Sequence, residues 1–589
     1  MTPVGTLTSA GSAVELTLLS AALKPMPTVN PLGPPSHPPL VPLVAPRLPV
    51  DTLHGTDGKL PSPVSQVALQ HLLHGYDPTM LHYLLHGFSS GFSVGCIGLP
   101  PQVNTAGVTN LKSASEFPEV IDNKLSKEVR LGRVLGPFAV PPPYCNYRVS
   151  PLGVVPKKAA GEFRMIHHLS YPEGSSVNDF IPHEFSSVRY ATISEAIDFI
   201  KHSPHLVYMA KVDIESAFRI IPISPADRPF LGFKWRGQFF MDAVLPMGCS
   251  SSCAIFECFS TALAWAAAVK LGVTAVVHVI DDFLLLAHSF DKCTNDLHAF
   301  ITMCNDIGVP LAPEKTCGPS TSIQFLGIIL DAVQMHARLP EDKLVKARNL
   351  LLNLMLRQKV TLKELQSVIG LLSFCAEVVV PGRPFLRRLI DLTIGVSRPY
   401  FHIRLTRQAK LDVGVWLAFL QHFNGKAFFL DNNFLTGDFL ELYTDAAGAI
   451  GYGALYGNAW FSGVWPTAWR SHNVAVLELY PIVAAVHVWG NAWANKSVCF
   501  FTDNAALVPI INNQTSRDPH IMSLIRPLVL ACLRFNINFA ARHIPGRFNI
   551  LADKLSRSQV GEFHDLARWT NVNTVLVPYS MSPAGLDSL

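Results

Sequence analysis

Apolar positions along the chain change their spacing several times, and each change marks an element. Val67, Leu69, Leu72 and Leu73, then Met80, Leu81, Leu84 and Leu85, recur at helical intervals. They predict two short amphipathic helices ahead of GFSSGFSVGCIG. A linker rich in Thr, Ser, Asn and Pro follows, and 119–135 resumes as helix. Leu152–Val155 and Phe163–Leu169 flank a turn at Ala159–Gly161 and read as a strand hairpin. KVDIESAFRIIPIS and FLGFKWRGQFFMDAVLP are strand-rich, with Gly237 as a hairpin turn. CAIFECFSTALAWAAAVKLG is helical, AVVHVIDDFLLLAH is a β-hairpin and Phe290–Ile307 is a second helix. Four strands and two helices alternating about one sheet predict a ferredoxin-like layer.

Residues 340–400 read as helical, and Thr361-Leu362-Lys363-Glu364 has the form of a capping box. After Leu435 a second β-rich unit begins. FLELYTDAAGAIGYGALYG supplies two strands, AVLELYPIVAAVHVWGNAW a helix and SVCFFTDN a strand, with a helix and a strand leading on to Asp553. From Val560 the pattern assigns no element.

Composition sets wider bounds. A chain of 589 residues exceeds what one core usually holds, so several domains are expected. Residues 25–49 contain ten prolines and almost no charge, which predicts a disordered arm. The net charge of +4 decides nothing by itself, but Glu341–Asp412 carries thirteen Lys/Arg against six Asp/Glu. That excess reads as a phosphate-tracking surface in preference to a solvated helix face. The eleven cysteines form no CxxC pair, which argues against zinc and for a reducing interior. The first residues lack a basic n-region and carry Glu15. The apolar window Cys253–Ile280 contains Glu257 and Lys270, so a core helix and strand explain it better than a membrane span. The expectation is an intracellular protein of cytoplasm or nucleus without a membrane partner.

The candidate chemistry is acidic. Asp213 (KVDIESAF), Asp281-Asp282 (HVIDDFLLLA), Asp445 (LYTDAAG), Glu478 (AVLELYP), Asp503 (FFTDN) and Asp553 (NILADKLSR) mostly lie in or after apolar, β-prone runs. A carboxylate there is costly unless a cation or hydrogen bond compensates it. Clusters of such acids suit two-metal phosphoryl transfer, because Mg²⁺ takes carboxylate oxygens and keeps other positions for water and phosphate. There are enough acids for two such sites. Taken singly, each has a plainer reading: adjacent acids are common in surface turns, Glu478 fits a helix face and Asp445 a turn.

Lys157 and Arg164 seven residues apart, Asp213 followed five later by Phe218, LPMGCSS, the Asp-Asp hairpin, PEKT and FLGIILD occur in one order over some 170 residues. In that order they resemble the reverse transcriptase family. The resemblance implies a right-hand α+β polymerase of fingers, ferredoxin-like palm and helical thumb. Asp213, Asp281 and Asp282, with Ile214, would hold two Mg²⁺ (or Mn²⁺). Lys157 and Arg164 would clamp the triphosphate, Phe218 would exclude a 2′-hydroxyl, and Met247-Gly248 would belong to the substrate-binding loop. Lys315 would protonate pyrophosphate. Phe218 as a core ring and Lys315 as a solvated loop lysine are the alternatives. Val279, Met247 and Ser170 depart from residues common in relatives, which touches dNTP affinity and fidelity more than metal chemistry.

Asp445, Glu478, Asp503 and Asp553, with His543 ten residues before the last, resemble the site of ribonuclease H. That implies a second pair of Mg²⁺ ions and cleavage of RNA in an RNA–DNA hybrid. RVSPLGVVPKKAAGEFRMIHHLSYPEGSSVNDFIP, LLHGFSSGFSVG and HIPGRFNILADKLSR are similar to DIRS-type retrotransposons, which encode a tyrosine recombinase separately. The implied organisation is a Pro-rich arm (1–64), a helical extension and linker (65–125), fingers and palm (126–335), thumb and connection (336–435), a mixed α/β ribonuclease H-like domain (436–559) and a tail (560–589). Expected partners are an RNA template, a DNA primer, the hybrid and dNTPs. The competing reading is a co-opted nucleic-acid-binding relic with dead sites.

Overall fold

The computed structural model describes residues 60–587 apart from 101, 103–106, 144–145, 157–160, 423–425, 429–441, 495 and 536. Most of the Pro-rich arm, Lys157 and Ala159-Ala160 of the expected turn lie outside the described residues. The chain divides into two compact units, Met1–Leu326 and Gly327–Leu589.

In the first unit, α1 (Gln66–Leu72) and α2 (Pro78–Ser90) are capped by Ser65 and Asp77, which accept from the amides of Ala68 and Met80. Leu69, Leu73, Met80, Leu84 and Phe88 share one buried cluster with Phe256, Phe259 and Leu263 of the later central helix. The N-terminal extension is therefore part of the first unit's core. α3 (Lys112–Glu116) and α4 (Pro118–Arg130) precede β1 (Val134–Phe138). The helix expected to reach 135 stops at Arg130. Gly132 turns the chain at a φ of +67°, and Val134 and Leu135 pair instead with Asp242 and Met241.

β2 (Leu152–Pro156) and β3 (Phe163–His167) form the expected antiparallel hairpin. α5 (Ile193–His202) has a complete capping box from Thr192 and Glu195. β4 (Tyr208–Asp213) follows, then β5 (Gly232–Trp235) and β6 (Gln238–Asp242), joined through Arg236-Gly237 with both residues at positive φ. β6 lies between β1 and β5 in a small sheet. α6 (Ser252–Val269), β7 (Ala275–Val279), β8 (Asp282–Ala287), α7 (Phe290–Asp306) and β9 (Cys317–Ser320) complete the main layer, and β10 (Ser322–Phe325) ends the unit. The strand order β7-β8-β4-β9 with two crossover helices is the ferredoxin-like arrangement the pattern predicts. α6 has the length and apolarity of a membrane span, but 78% of it is buried, as a core helix requires.

The second unit opens with β11 (Ile328–Asp331) and β12 (His336–Arg338), which pair with each other and, through β12, with β15 (Lys426–Phe428). α8 (Glu341–Leu356), α9 (Leu362–Cys375), α10 (Arg387–Asp391) and α11 (Arg407–His422) form a helical layer. It is not wholly helical: β13 (Lys359–Thr361) pairs with β14 (His402–Arg404) and sets buried Val360 against buried Ile403. The capping box is present, with Glu364 Oε2 accepting from the Thr361 amide at 2.8 Å. Its hydrogen bonds from Arg357 and Thr361 hold the Glu364 carboxyl down at about 2.

β16 (Leu442–Ala447), β17 (Gly451–Tyr456) and β18 (Ala459–Val464) make an antiparallel meander, one strand more than the sequence reading allowed. α12 (Val474–Trp489) packs on it and leads to β19 (Ser497–Thr502), α13 (Leu507–Asn513) and α14 (Pro519–Arg534). β20 (Asn538–His543) runs parallel to β19, and α15 (Ile550–Ser556) carries Asp553. Beyond Val560, where no element was expected, α16 (Val560–Leu566) buries Phe563 against Trp460 and Leu555.

Leu84 is fully buried between the N-terminal extension and the central helix. Leu84→Ala is expected to cost about 2–5 kcal/mol in urea denaturation of the whole chain. A change below about 0.5 kcal/mol, the usual range for surface substitutions, would show that α2 is not part of the first unit's core.

Candidate active sites

The first acidic group is set by strand register. β4 ends at Asp213, directly opposite Asp282 at the start of β8. Val279 pairs with Asp282 across the β7–β8 hairpin, so Ile280 and Asp281 form its two-residue tip. Such a tip demands positive φ, and Ile280 adopts +53°, a costly conformation for a β-branched residue. Local hydrogen bonds hold it there. Glu257 of α6, only 4% exposed, accepts from the Ile280 amide at 3.0 Å and lies 3.2 Å from His278 Nε2. Ser260 Oγ donates to the Ile280 carbonyl at 2.6 Å, and the Ile214 amide donates to the Asp281 carbonyl at 3.0 Å.

The register and these bonds bring Asp213, Asp281 and Asp282 to one edge of the sheet. Burial raises the carboxyl pKa of Asp213, with Lys315 opposing. Burial also raises that of Asp281, and the charges of Asp213 and Asp282 add to it. Lys315 Nζ donates to Asp213 Oδ1 at 2.8 Å, which lifts the lysine in turn. Lys211 Nζ lies 2.9 Å from Asp282 Oδ1. The sequence reading missed Lys211, although a strand places residues i and i+2 on one face and so sets it beside Asp213.

A cavity of about 610 Å³ is lined by Arg164, Ile214, Phe218, Met247, Asp281 and Lys315 among others. It gathers most of the residues expected to bind substrate. Phe218 is half-buried, with its ring edge-on to Phe256 at 5.8 Å. Gly248 has a φ of +119°, and a Cβ there would lie 2.3 Å from the His167 carbonyl oxygen, so this turn admits only glycine.

The second acidic group is assembled from four elements: Asp445 on β16, Glu478 on α12, Asp503 just past β19 and Asp553 on α15. Close packing of α15 on the meander positions them. A Cβ at Gly453 would meet Leu555 Cβ at 2.4 Å, and Asn549 Nδ2 donates to the Thr444 carbonyl at 2.8 Å. Ser556 Oγ donates to Asp445 Oδ2 at 2.5 Å, and Arg557 Nε donates to Asp553 Oδ1 at 2.7 Å. The exposed His543 has Nε2 at 3.1 Å from the Asp503 carbonyl oxygen. Burial pushes the Asp445 carboxyl up to about 6, with the Asp503 and Asp553 charges adding and the Ser556 hydroxyl opposing. Glu478 is pushed up to about 8, by burial first and then by Asp503 and Asp445. Its Oε2 is buried with no hydrogen-bond partner.

Among the described residues, no three His, Cys, Asp or Glu side chains converge closely enough to hold a metal ion as they stand. The donor chemistry nevertheless fits Mg²⁺. Both groups offer hard carboxylate oxygens, neighbouring acids add to the raised carboxyls of Asp281, Asp445 and Glu478, and Glu478 carries a buried oxygen without a hydrogen-bond partner. In the first group the two lysines neutralise Asp213 and Asp282.

Within the basic stretch, Arg348, Arg357, Arg383, Arg387 and Arg388 face Glu341, Glu364, Glu377, Asp391 and Asp412, which uses five bases and five acids and leaves the net excess as it was. Arg404, Arg407 and Lys410 remain around a cavity of about 570 Å³, with Met355 and Gln358.

Residues 155–330 match the family model described as Reverse transcriptase (RNA-dependent DNA polymerase), and this part of the chain is a reverse transcriptase domain. The chain is 21% identical over 316 residues to a retrovirus-related Pol polyprotein from transposon opus of Drosophila melanogaster, covering 53% of this chain and 29% of that protein. It is 27% identical over 206 residues to Protein P of duck hepatitis B virus (strain China), covering 35% and 26%. The match thus spans less than a third of either relative's length. Among solved structures, a foamy viral protease-reverse transcriptase in complex with double-stranded DNA is similar at a TM-score of 0.46 and 17% identity, over 81% of each chain.

The raised acids give a pH prediction. The folded values of Asp445 and Glu478, about 6 and about 8, lie above the unfolded 3.8 and 4.5. Folding therefore disfavours their ionised forms, and stability present below the unfolded values is lost as pH rises through the folded ones. In EDTA, Tm is expected to fall from about pH 5 to about pH 8, and Glu478→Gln to flatten that slope. An identical slope in the variant would contradict the crowding of these acids.

Proposed function

We propose that the chain is an RNA-directed DNA polymerase that also degrades the RNA strand of an RNA–DNA hybrid. The observation that carries this reading is the pair of separate acidic groups, the first at the end of β4 and the tip of the β7–β8 hairpin, the second shared among β16, α12, the end of β19 and α15, each with carboxyls raised by burial and by neighbouring acids.

In the polymerase site, Asp213, Asp281 and Asp282 would hold Mg²⁺ or Mn²⁺, with Ile214 adjoining. In the second site Asp445, Glu478, Asp503 and Asp553 would do so within a ribonuclease H-like fold. Bound metal supplies the charge that makes a primer hydroxyl or a water nucleophilic and stabilises the departing oxygen. The chain's own groups bind and orient. Arg164, exposed on β3 and lining the cavity, would take triphosphate oxygens, with Lys157 as its expected companion. The ring of Phe218, packed against Phe256 and facing the cavity, restricts the space beside the sugar. Lys315, whose pKa is raised beside Asp213, would donate a proton to the leaving pyrophosphate. Met247 and Gly248 would belong to the loop that binds the nucleotide, and His543, beside Asp503, would act with the acids of the second site. RNA template, DNA primer, hybrid and dNTPs are the partners this chemistry implies. The similarity of the three quoted segments to DIRS-type elements adds a separately encoded tyrosine recombinase.

Extension of a DNA primer on an RNA template in Mg²⁺, run beside hybrid cleavage, tests both sites. Asp281→Asn is expected to lower extension by about a hundredfold or more and to spare cleavage. Asp445→Asn should do the reverse. Well-folded wild-type protein that binds the hybrid without extending or cutting it would instead establish the relic.

A further inference from the structure

Directly behind Phe218 the chain buries a charge. Arg219 follows it in the turn Ala217–Ile220, and its side chain is 14% exposed. Its Nε donates to Glu128 Oε2 at 2.8 Å, and Nη2 lies 2.7 Å from the same oxygen. Nη1 donates to Asp242 Oδ1 at 2.8 Å and reaches the Leu245 carbonyl at 3.4 Å. The other oxygen of Asp242 is 3.1 Å from His167 Nδ1, and His167 Nε2 lies 3.3 Å from the Gly232 carbonyl. Glu128, Asp242 and His167 are all buried.

These four side chains come from four places: Glu128 from α4, His167 from β3, Asp242 from β6 and Arg219 from the turn after β4. All four side chains border the cavity that Arg164 and Phe218 line. β3 bears Arg164, and the turn bears Phe218. Leu245 begins the loop whose Gly248 rests against the His167 carbonyl. Buried ionic networks add little stability over well-packed apolar residues, and their attested use is to fix one arrangement of the elements they join. A guanidinium suits that use because its planar fork bonds two carboxylates at set angles, which an ammonium cannot do.

We propose that Arg219, through Glu128, Asp242 and His167, is a positioning residue that sets the separation of Arg164 from Phe218. It thereby sets the affinity of the site for a nucleoside triphosphate and its discrimination between deoxyribose and ribose. The inference rests on the polymerase reading above.

The test is steady-state primer extension by the full chain in Mg²⁺, with dTTP or UTP as the varied nucleotide, for wild type, Arg219→Met, Arg219→Lys and Glu128→Gln. Arg219→Met is expected to raise KM for dTTP about ten- to a hundredfold, with kcat changed by less than about threefold, and to relax rejection of UTP. Arg219→Lys should be intermediate. Glu128→Gln retains an acceptor oxygen, so it should fold well and shift KM in the same direction by less. Asp227→Asn is the control for burial alone, because Asp227 is buried and accepts from Ser93 Oγ and the Val94 amide. It should lower Tm and leave KM in place. If the Arg219 and Glu128 variants lower Tm as Asp227→Asn does, with KM and UTP rejection unmoved, the inference is overturned while the polymerase reading stands. If the wild type itself extends no primer, the reading and the inference fall together.

Discussion

Carboxylates crowded together among apolar strands and helices are the constraint on which the rest depends. An acid in such a place loses hydration and feels its neighbours' charge, and the raised pKa values of Asp281, Asp445 and Glu478 record both effects. A fold keeps such a group only if compensating contacts surround it. In the first unit these are Lys315 on Asp213 and Lys211 by Asp282; in the second they are Ser556 on Asp445 and Arg557 on Asp553. These contacts balance part of the charge and leave carboxylate oxygens for a cation.

Backbone conformation does as much as charge. The Ile280 turn puts a β-branched residue at positive φ, and the buried Glu257 carboxylate and Ser260 hydroxyl keep it there. Gly248 and Gly453 permit approaches that a Cβ would block, one of a loop to the His167 carbonyl and one of α15 to the meander. Each brings a candidate functional residue to its place: Asp281 by the turn, Met247 by the loop and Asp553 by the helix.

Much of this was legible in the chain because it depends on local periodicity. The ferredoxin-like layer follows from strands and helices with clear patterns, and the Asp281-Asp282 tip from acids flanked by apolar runs. The end of α4 was misplaced because Val134-Leu135 continues an apolar helical spacing, and only pairing with β6 makes it strand. β13 and β14 are three residues each, too short to show a period, and they form only by meeting one another. The extra meander strand and α16 depend on packing around Trp460, a contact far apart in sequence. The Arg219 network was hidden for the same reason, since its members lie 23 to 91 residues from Arg219. In the basic stretch the charge count was legible, but which arginines face acids was not.

Divalent-cation binding tests the central claim most directly. Mn²⁺ titration followed by electron paramagnetic resonance would compare wild type with Asp213→Asn/Asp281→Asn, with Asp445→Asn/Glu478→Gln, and with all four changes together. Two separate acidic sites predict that each pair of substitutions removes part of the binding and that the four together remove it all. Wild-type binding no greater than that of the quadruple variant would contradict the account.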